Sequence, residues 1–291
     1  MTFQERLRGS TTADFLASRI SSRNFVRYLP YSMGTAMAAT RWRSQVHGGD
    51  LSCRVTDHFV SRGSTVVDVG TSWGFFSYHM ADRVGPEGRV LSYEPHPLNV
   101  PGLRKLAKAR PQVTFRQAAI SDTQGEATMS VPRMRFRPVT AQASLAHDFH
   151  DLDGVETDSV TVPTTRLDDE IGGDTHVSFI KIDVEGHELA VLRGAASTLQ
   201  RCRPVLLIEI EQRHVREPIT VVFDEILGLG YELFGIAETT LIPLADFDVN
   251  RDQLSHVVPG QFNPFSMPAG YVNDFVAVPS AGMLGDLPVQ R

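Results

Sequence analysis

Residues Ser64–Ser77 read STVVDVGTSWGFFS, and the fold is decided there. Thr65-Val66-Val67 is a β-branched run suited to a strand buried on both faces. Asp68-Val69-Gly70 ends it, Thr71-Ser72-Trp73-Gly74 turns, and Phe75-Phe76-Ser77 opens a helix. Strand, glycine turn, helix is the geometry that places a ligand beyond the carboxyl end of a parallel strand. Gly70 and Gly74 are expected to let the backbone approach a bound group where a Cβ would collide. The dinucleotide pattern GxGxxG is absent, because Ser72 stands where its second glycine belongs. Asp68 at the head of the turn repels a pyrophosphate and suits a cation.

Working outward, the chain alternates strands and helices. Strands are predicted at 64–69, 89–94, 113–120, 177–184, 204–210, 231–236 and 271–278, with the last antiparallel at a sheet edge. This is an α/β pattern: a Rossmann-like seven-stranded, mainly parallel sheet with helices on both faces. Glu94 ends the second strand, where an acid accepts hydrogen bonds from both hydroxyls of a ribose. A nucleoside that carries an ammonium and a sulfonium, S-adenosylmethionine, satisfies Asp68 and Glu94 together.

Two regions break the rhythm. Residues 1–63 read as a helical N-terminal cap, with Leu51, Val55 and Phe59 on one face, and 64–291 as the catalytic domain. The cap either only packs on the sheet or also covers the mouth of the site. Residues 121–176 hold two strand-like runs, Gly125–Val131 and Val160–Arg166, joined by a polar segment read as a lid over 131–158. Arg133, Arg135 and Arg137 alternate there, either to meet an anionic group or as a solvated edge. Residues 237–270, with four prolines, read as irregular.

Composition narrows the function. With 42% hydrophobic and 21% charged residues the chain is of ordinary globular type. A net charge of −6 argues against a nucleic-acid partner. Cys53 and Cys202 sit in no metal spacing and suit a reducing compartment. No apolar run reaches the ~20 residues a membrane span needs, and the start of the chain lacks an apolar signal core. The reading is therefore a cytoplasmic enzyme of small molecules, with no membrane partner and with a homodimer open to it.

The chemistry concentrates in Lys181-Ile182-Asp183-Val184-Glu185-Gly186-His187-Glu188. A lysine inside a central strand needs a partner. Asp183 shares its face, and Asp68 and Glu209 are expected on the flanking strands. Such a row of acids calls for a cation among them, unless Lys181 and Glu209 form a buried pair that only sets strand register. His187 at a helix start is expected neutral and able to accept a hydroxyl proton, or else a capping residue. Asp183 and Glu209 join it as catalytic candidates. Mg²⁺ held by these acids is the less favoured alternative, and no metal site is assigned.

DVGTSWGFFS, YEPHPLN, QAAISDTQG, the short ASL of 143–145 and KIDVEGHELAVLRGA followed by RPVLLIEIE occur in this order. Together they resemble the FkbM family of S-adenosylmethionine-dependent methyltransferases over roughly residues 60–235. Thr71-Ser72 replaces the family's usual Ala-Asn. The resemblance implies O-methylation of a hydroxyl on a sugar, polyketide or related secondary metabolite. Acceptor nitrogen on an amino sugar or peptide, or binding without catalysis, are the alternatives. For the cofactor it implies Asp68, Gly70, Ser72, Gly74 and Ser77 at the methionine end and Glu94, Pro95 and Asn99 at the ribose. Gln117 and Ala118 would lie at the adenine, and Asp183 at the transfer centre.

Overall fold

A computed structural model describes residues 50–134, 137–146, 155–257 and 268–290. Most of the N-terminal cap, Arg135 and part of the lid segment lie outside them. The strands are β1 Thr65–Val69, β2 Arg89–Tyr93, β3 Val113–Arg116, β4 Ala119–Ile120, β5 Gly125–Met134 and β6 Arg137–Pro138. They continue as β7 Glu156–Thr165, β8 Val177–Ile182, β9 Val205–Glu209, β10 Glu232–Ala237, β11 Thr240–Pro243 and β12 Asp274–Val278. The α-helices are α1 Leu51–Phe59, α2 Phe75–Val84, α3 Val100–Ala109 and α4 Leu167–Glu170. After them come α5 Glu188–Gly194, α6 Ala196–Cys202, α7 Thr220–Gly228 and α8 Val249–Asp252.

The main sheet has eight strands in the order β11-β10-β12-β9-β8-β1-β2-β3, with β9, β8, β1, β2 and β3 parallel. Its pleat sorts side chains with period two. Val67, Val69, Ile180, Ile182, Leu206 and Ile208 pack on the α5, α6 and α7 side. Val66, Phe179, Val205, Leu207 and Val276 pack with Leu51 and Val55 of α1 and Met80 and Val84 of α2. Asp68, Lys181, Glu209 and Asp274 continue the second set toward the strand ends. Their polar groups therefore emerge at one edge, on the face that α1 and α2 cover.

Four expectations are corrected. The sheet has eight strands instead of seven, because Thr240–Pro243 folds back on β10. Its turn, Glu238-Thr239, has none of the Asn-Gly or Asp-Gly chemistry that announces a hairpin, and Glu238 takes a left-handed φ of 46° instead. The last strand is antiparallel as expected, but it lies between β9 and β10 and not at an edge. The predicted strand 113–120 splits, and Ala119–Ile120 joins a second, four-stranded sheet, β4-β7-β5-β6. Finally, β5 and β7 run on to Met134 and back from Glu156, so both ends of the expected lid are paired strand.

Among the described residues no helix is long and apolar enough to cross a membrane.

Candidate active site

The strand edge opens into a cavity of about 490 Å³, lined from β1, β2, β8, β9, β12, the start of α1 and the 140–145 turn. That volume suits a single small-molecule site.

The turn after β1 is built by the backbone. Gly70 and Thr71 both donate their N–H to the Tyr93 carbonyl, at 3.0 and 3.1 Å. Ser72, at a φ of 50°, aims its own N–H at Glu94 Oε2, 2.8 Å away. Gly70 has a φ of 78°, and a Cβ there would stand 1.8 Å from the Asp183 carbonyl oxygen. At Gly74, φ 85°, a Cβ would meet Leu106 at 2.7 Å. The Asp183 backbone therefore already requires Gly70 before any ligand is considered, and at Gly74 the left-handed φ favours glycine.

Asp68 is fully buried, and Ser77 Oγ donates to its Oδ2 at 2.5 Å while also meeting Ser92 Oγ. Its Oδ1 has no hydrogen-bond partner, and Asp68 lines the cavity. Burial raises the Asp68 pKa above the usual carboxylate range, against the pull of Lys181. Ser77 therefore stands behind Asp68 and does not line the cavity. Glu94 accepts from Ser72 on one oxygen and from the His96 N–H on the other, at 2.8 Å each. Burial pushes its pKa up to about 7 despite these bonds. Ser72 and Pro95 line the cavity; Asn99 does not, and its Oδ1 accepts from Thr140 at 3.2 Å. Gln117 also lies off the wall, its amide donating to the Pro95 carbonyl at 3.4 Å, whereas Ala118 is on it.

Lys181 pairs with Asp183 at 2.8 Å and lies 4.8 Å from the centre of the Phe76 ring. Burial pulls its pKa down, but Asp183 and Asp68 outweigh burial and hold it above its usual value. Register sets Asp68 beside Lys181 and Glu209 opposite Asp274. Glu209 accepts from Asn273 Nδ2 at 2.5 Å, and Ser52 of α1 donates to Asp274 Oδ2 at 2.5 Å. Burial, then Asp183 and Glu211, pushes Glu209 well above the carboxylate range. The row expected from the sequence is thus assembled, with Lys181 on Asp183 and not on Glu209.

His187 lines the cavity just ahead of α5, and its Nε2 lies 3.0 Å from Ser121 Oγ. The same Ser121 hydroxyl donates to Asp122 Oδ1 at 3.3 Å. Burial lowers the His187 pKa, which keeps the ring neutral at pH 7. Helix-dipole reasoning gave the same sign from a weaker cause.

Three features were not foreseen. Glu211 is clasped by Arg213 through both of its oxygens, at 2.5 and 3.0 Å, and by the Tyr271 hydroxyl at 2.6 Å. Next to it His214 Nε2 lies 3.1 Å from Glu185. Glu185, Glu211 and His214 bring ligand atoms within 4.8 Å of one another, a different set from the Asp183 and Glu209 considered for Mg²⁺. In the ASL segment, Ser144 Oγ donates to the Glu185 carbonyl, which pins the insertion to the loop after β8. Trp73 Nε1 donates to Thr140 Oγ1 at 3.3 Å, a second clasp over the glycine turn. Gln142, between these clasps, is buried on the cavity wall. Such contacts cross 41 to 67 residues of sequence and leave no local periodic signal.

The sequence profile described as the Methyltransferase FkbM domain matches residues 57–233. No curated protein matches the chain. Among solved structures, the methyltransferase FkbM of Methylobacillus flagellatus is 16% identical, with a TM-score of 0.47. That likeness covers 74% of this chain and 44% of the other, so the chain spans less than half of that protein's length. Aeropyrum pernix fibrillarin, in complex with natively bound S-adenosyl-L-methionine, is 13% identical at a TM-score of 0.41, covering 76% and 68%. A SAM-dependent O-methyltransferase from Thermotoga maritima is 11% identical at 0.38, covering 82% and 65%.

Proposed function

The chain belongs to the FkbM methyltransferase family, and on that premise we propose that it moves a methyl group from S-adenosylmethionine to a hydroxyl of a sugar, polyketide or related metabolite. The observation that carries this reading is the row of polar groups along β1, β8 and β9, opening on one cavity beside a neutral histidine.

The wall fits the cofactor's chemistry. Asp68 Oδ1 is a buried acceptor without a partner, suited to an ammonium. Glu94 keeps lone pairs for two ribose hydroxyls after accepting the two N–H groups that orient it. S-adenosylmethionine, when bound, supplies a methyl group on a sulfonium that leaves as a neutral thioether. The protein must then hold a hydroxyl oxygen in line and receive its proton. Confinement of the two reactants accounts for most of such a rate enhancement. His187, kept neutral by burial, takes the proton on a ring nitrogen, and Asp183, fixed by Lys181, helps to orient the hydroxyl.

The test is incubation with labelled S-adenosylmethionine and a panel of polyols, aminosugars and macrolide aglycones, with the methylated atom located by NMR. O-methyl product supports the reading; methyl found only on nitrogen, or tight cofactor binding with no product, defeats it. One observation favours the nitrogen alternative. Glu209 and Asp274 face each other in register on the cavity wall, where two carboxyl groups suit the N–H groups of an amine and leave its lone pair for the methyl.

A further inference from the structure

Gln142 is 4% exposed, lines the cavity, and its Oε1 has no hydrogen-bond partner. A buried amide oxygen left without a donor is costly, and native structures rarely keep one unless something else fills the place. The side chain is also not free to leave. Its turn is held by the Gln142 N–H on the Val139 carbonyl at 3.0 Å. On one side Thr140 is tied to Asn99 and Trp73. On the other, Ala143 packs with Ala119 and Met129. Gln142 is thereby bracketed between the Glu94 end of the cavity and the strand end at Ala118 and Ala119.

That position matters once the donors of S-adenosylmethionine are counted. The ammonium calls for an acid, and Asp68 offers one. The ribose hydroxyls call for a bidentate acceptor, and Glu94 offers that. The remaining donor is the exocyclic amino group of adenine, which is neutral and sits on a flat apolar ring. A neutral amide oxygen next to small apolar residues matches it. Gln117, the residue the sequence suggests for adenine, has its amide on the Pro95 carbonyl instead. We infer that Gln142 reads the adenine amino group through its Oε1, so that the insertion between β4 and β8, and not the end of β3, supplies base specificity. This rests on S-adenosylmethionine being the cofactor.

Calorimetry compares S-adenosylhomocysteine with its 6-deamino analogue, which carries hydrogen in place of the amino group. The wild-type protein should bind the parent roughly ten- to a hundred-fold more tightly, the usual discrimination of a buried polar group left unpaired. Gln142→Leu should weaken the parent by a similar factor, leave the analogue nearly unchanged, and bring the two to within about three-fold of each other. Gln142→Met serves if the leucine variant melts early, and the wild-type comparison needs no variant at all. Equal wild-type affinity for both ligands overturns the assignment, as does a variant that keeps the wild-type discrimination. A variant that loses acceptor affinity alone also overturns it and turns Gln142 toward the acceptor. If S-adenosylhomocysteine does not bind, the cofactor reading falls with it. If it binds without discrimination, only Gln142 is wrong.

Discussion

Glu209 and Glu211 lie two residues apart at the end of the same strand, and the protein treats them in opposite ways. Glu211 is 2% exposed and has its charge answered from within: burial raises its pKa, but His214 and Arg213 outweigh burial and hold it down at about 2. Glu209 lines the cavity, takes a neutral amide from Asn273, and is driven well above the carboxylate range by burial and by Asp183 and Glu211. One acid has been completed by the fold, while the other has been left for something to complete. The difference separates groups that build a site from groups that use it, which a list of acids in one neighbourhood cannot do.

The contrast breaks most visibly in stability. Glu211→Ala removes the partner of a partly buried guanidinium and should cost about 2–4 kcal/mol, a little under the penalty for uncovering half of a fully buried pair. Glu209→Gln should change stability by less than about 1 kcal/mol while lowering turnover, since it removes charge from a place where charge is already disfavoured. Chemical denaturation of the two variants side by side is the check. Similar losses in both would erase the distinction drawn between them.

The next effect is catalytic. His187→Ala should lower kcat by roughly 10²–10⁴ with cofactor affinity kept, the usual span for a general base. The buried Ser121 contact predicts little change in fold, because the ring packs at the start of a short helix and not in the main core. Wild-type turnover in that variant would leave positioning alone to account for the reaction.

A third effect follows from Glu94, with its pKa at about 7 against 4.5 for an ordinary glutamate. Without ligand the group is largely protonated below pH 7, so between about 4.5 and 7 the folded state binds more protons than the unfolded one. Its contribution to stability therefore falls as pH rises through that window and levels off above it. Ribose hydroxyls donate best to the ionised form, so cofactor binding should release a proton and tighten as pH rises from 6 to 8. Glu94→Gln should flatten that profile and, at pH 8, weaken the cofactor by roughly 1.5–3 kcal/mol. Calorimetry in buffers of different ionisation enthalpy measures the proton directly. A profile unchanged in Glu94→Gln would take Glu94 out of the ribose site.

Much of this could be read beforehand, for physical reasons that also mark where reading stopped. Val66-Val67, Phe179-Ile180 and Leu206-Leu207 are apolar on both faces, so the buried parallel strands were visible, and with them Asp68, Lys181 and Glu209 at their ends. Glu94 was legible because its place follows from the strand before it. The place of the last, antiparallel strand left no such trace: Phe275 and Val276 look alike whether β12 closes an edge or sits between β9 and β10. Gly70 is legible as a place with no room for a Cβ, but the Asp183 carbonyl that fills this room follows a strand more than a hundred residues away, which no local pattern reveals. Ser77 and Gln117 carry chemistry that fits a cofactor, yet their side chains bond Asp68 and Pro95, while Asn99 gives Thr140 its Oδ1 and keeps its amide nitrogen without a partner. Gln142 had no pattern around it.

The smallest expected effect is that of removing divalent metal. Glu185, Glu211 and His214 are close enough to share an ion, and Asp183 and Glu209 line the same cavity. A hard cation is drawn to carboxylates whose charge is unanswered. Glu211 is answered already, by a bidentate guanidinium and a phenol hydroxyl, and an ion bound there would have to displace Arg213 or sit beside it. Asp183 is answered by Lys181 at 2.8 Å. Glu209 can lower its charge by taking up a proton, as its raised pKa allows. The need for a metal is therefore met locally at each acid, and exhaustive EDTA treatment should leave kcat within about two-fold, since a neutral imidazole near a good leaving group needs no Lewis acid. Activity that vanishes with EDTA and returns with Mg²⁺ would reverse this. It would make Glu211 a ligand in waiting, and the contrast with Glu209 would then describe only the metal-free protein.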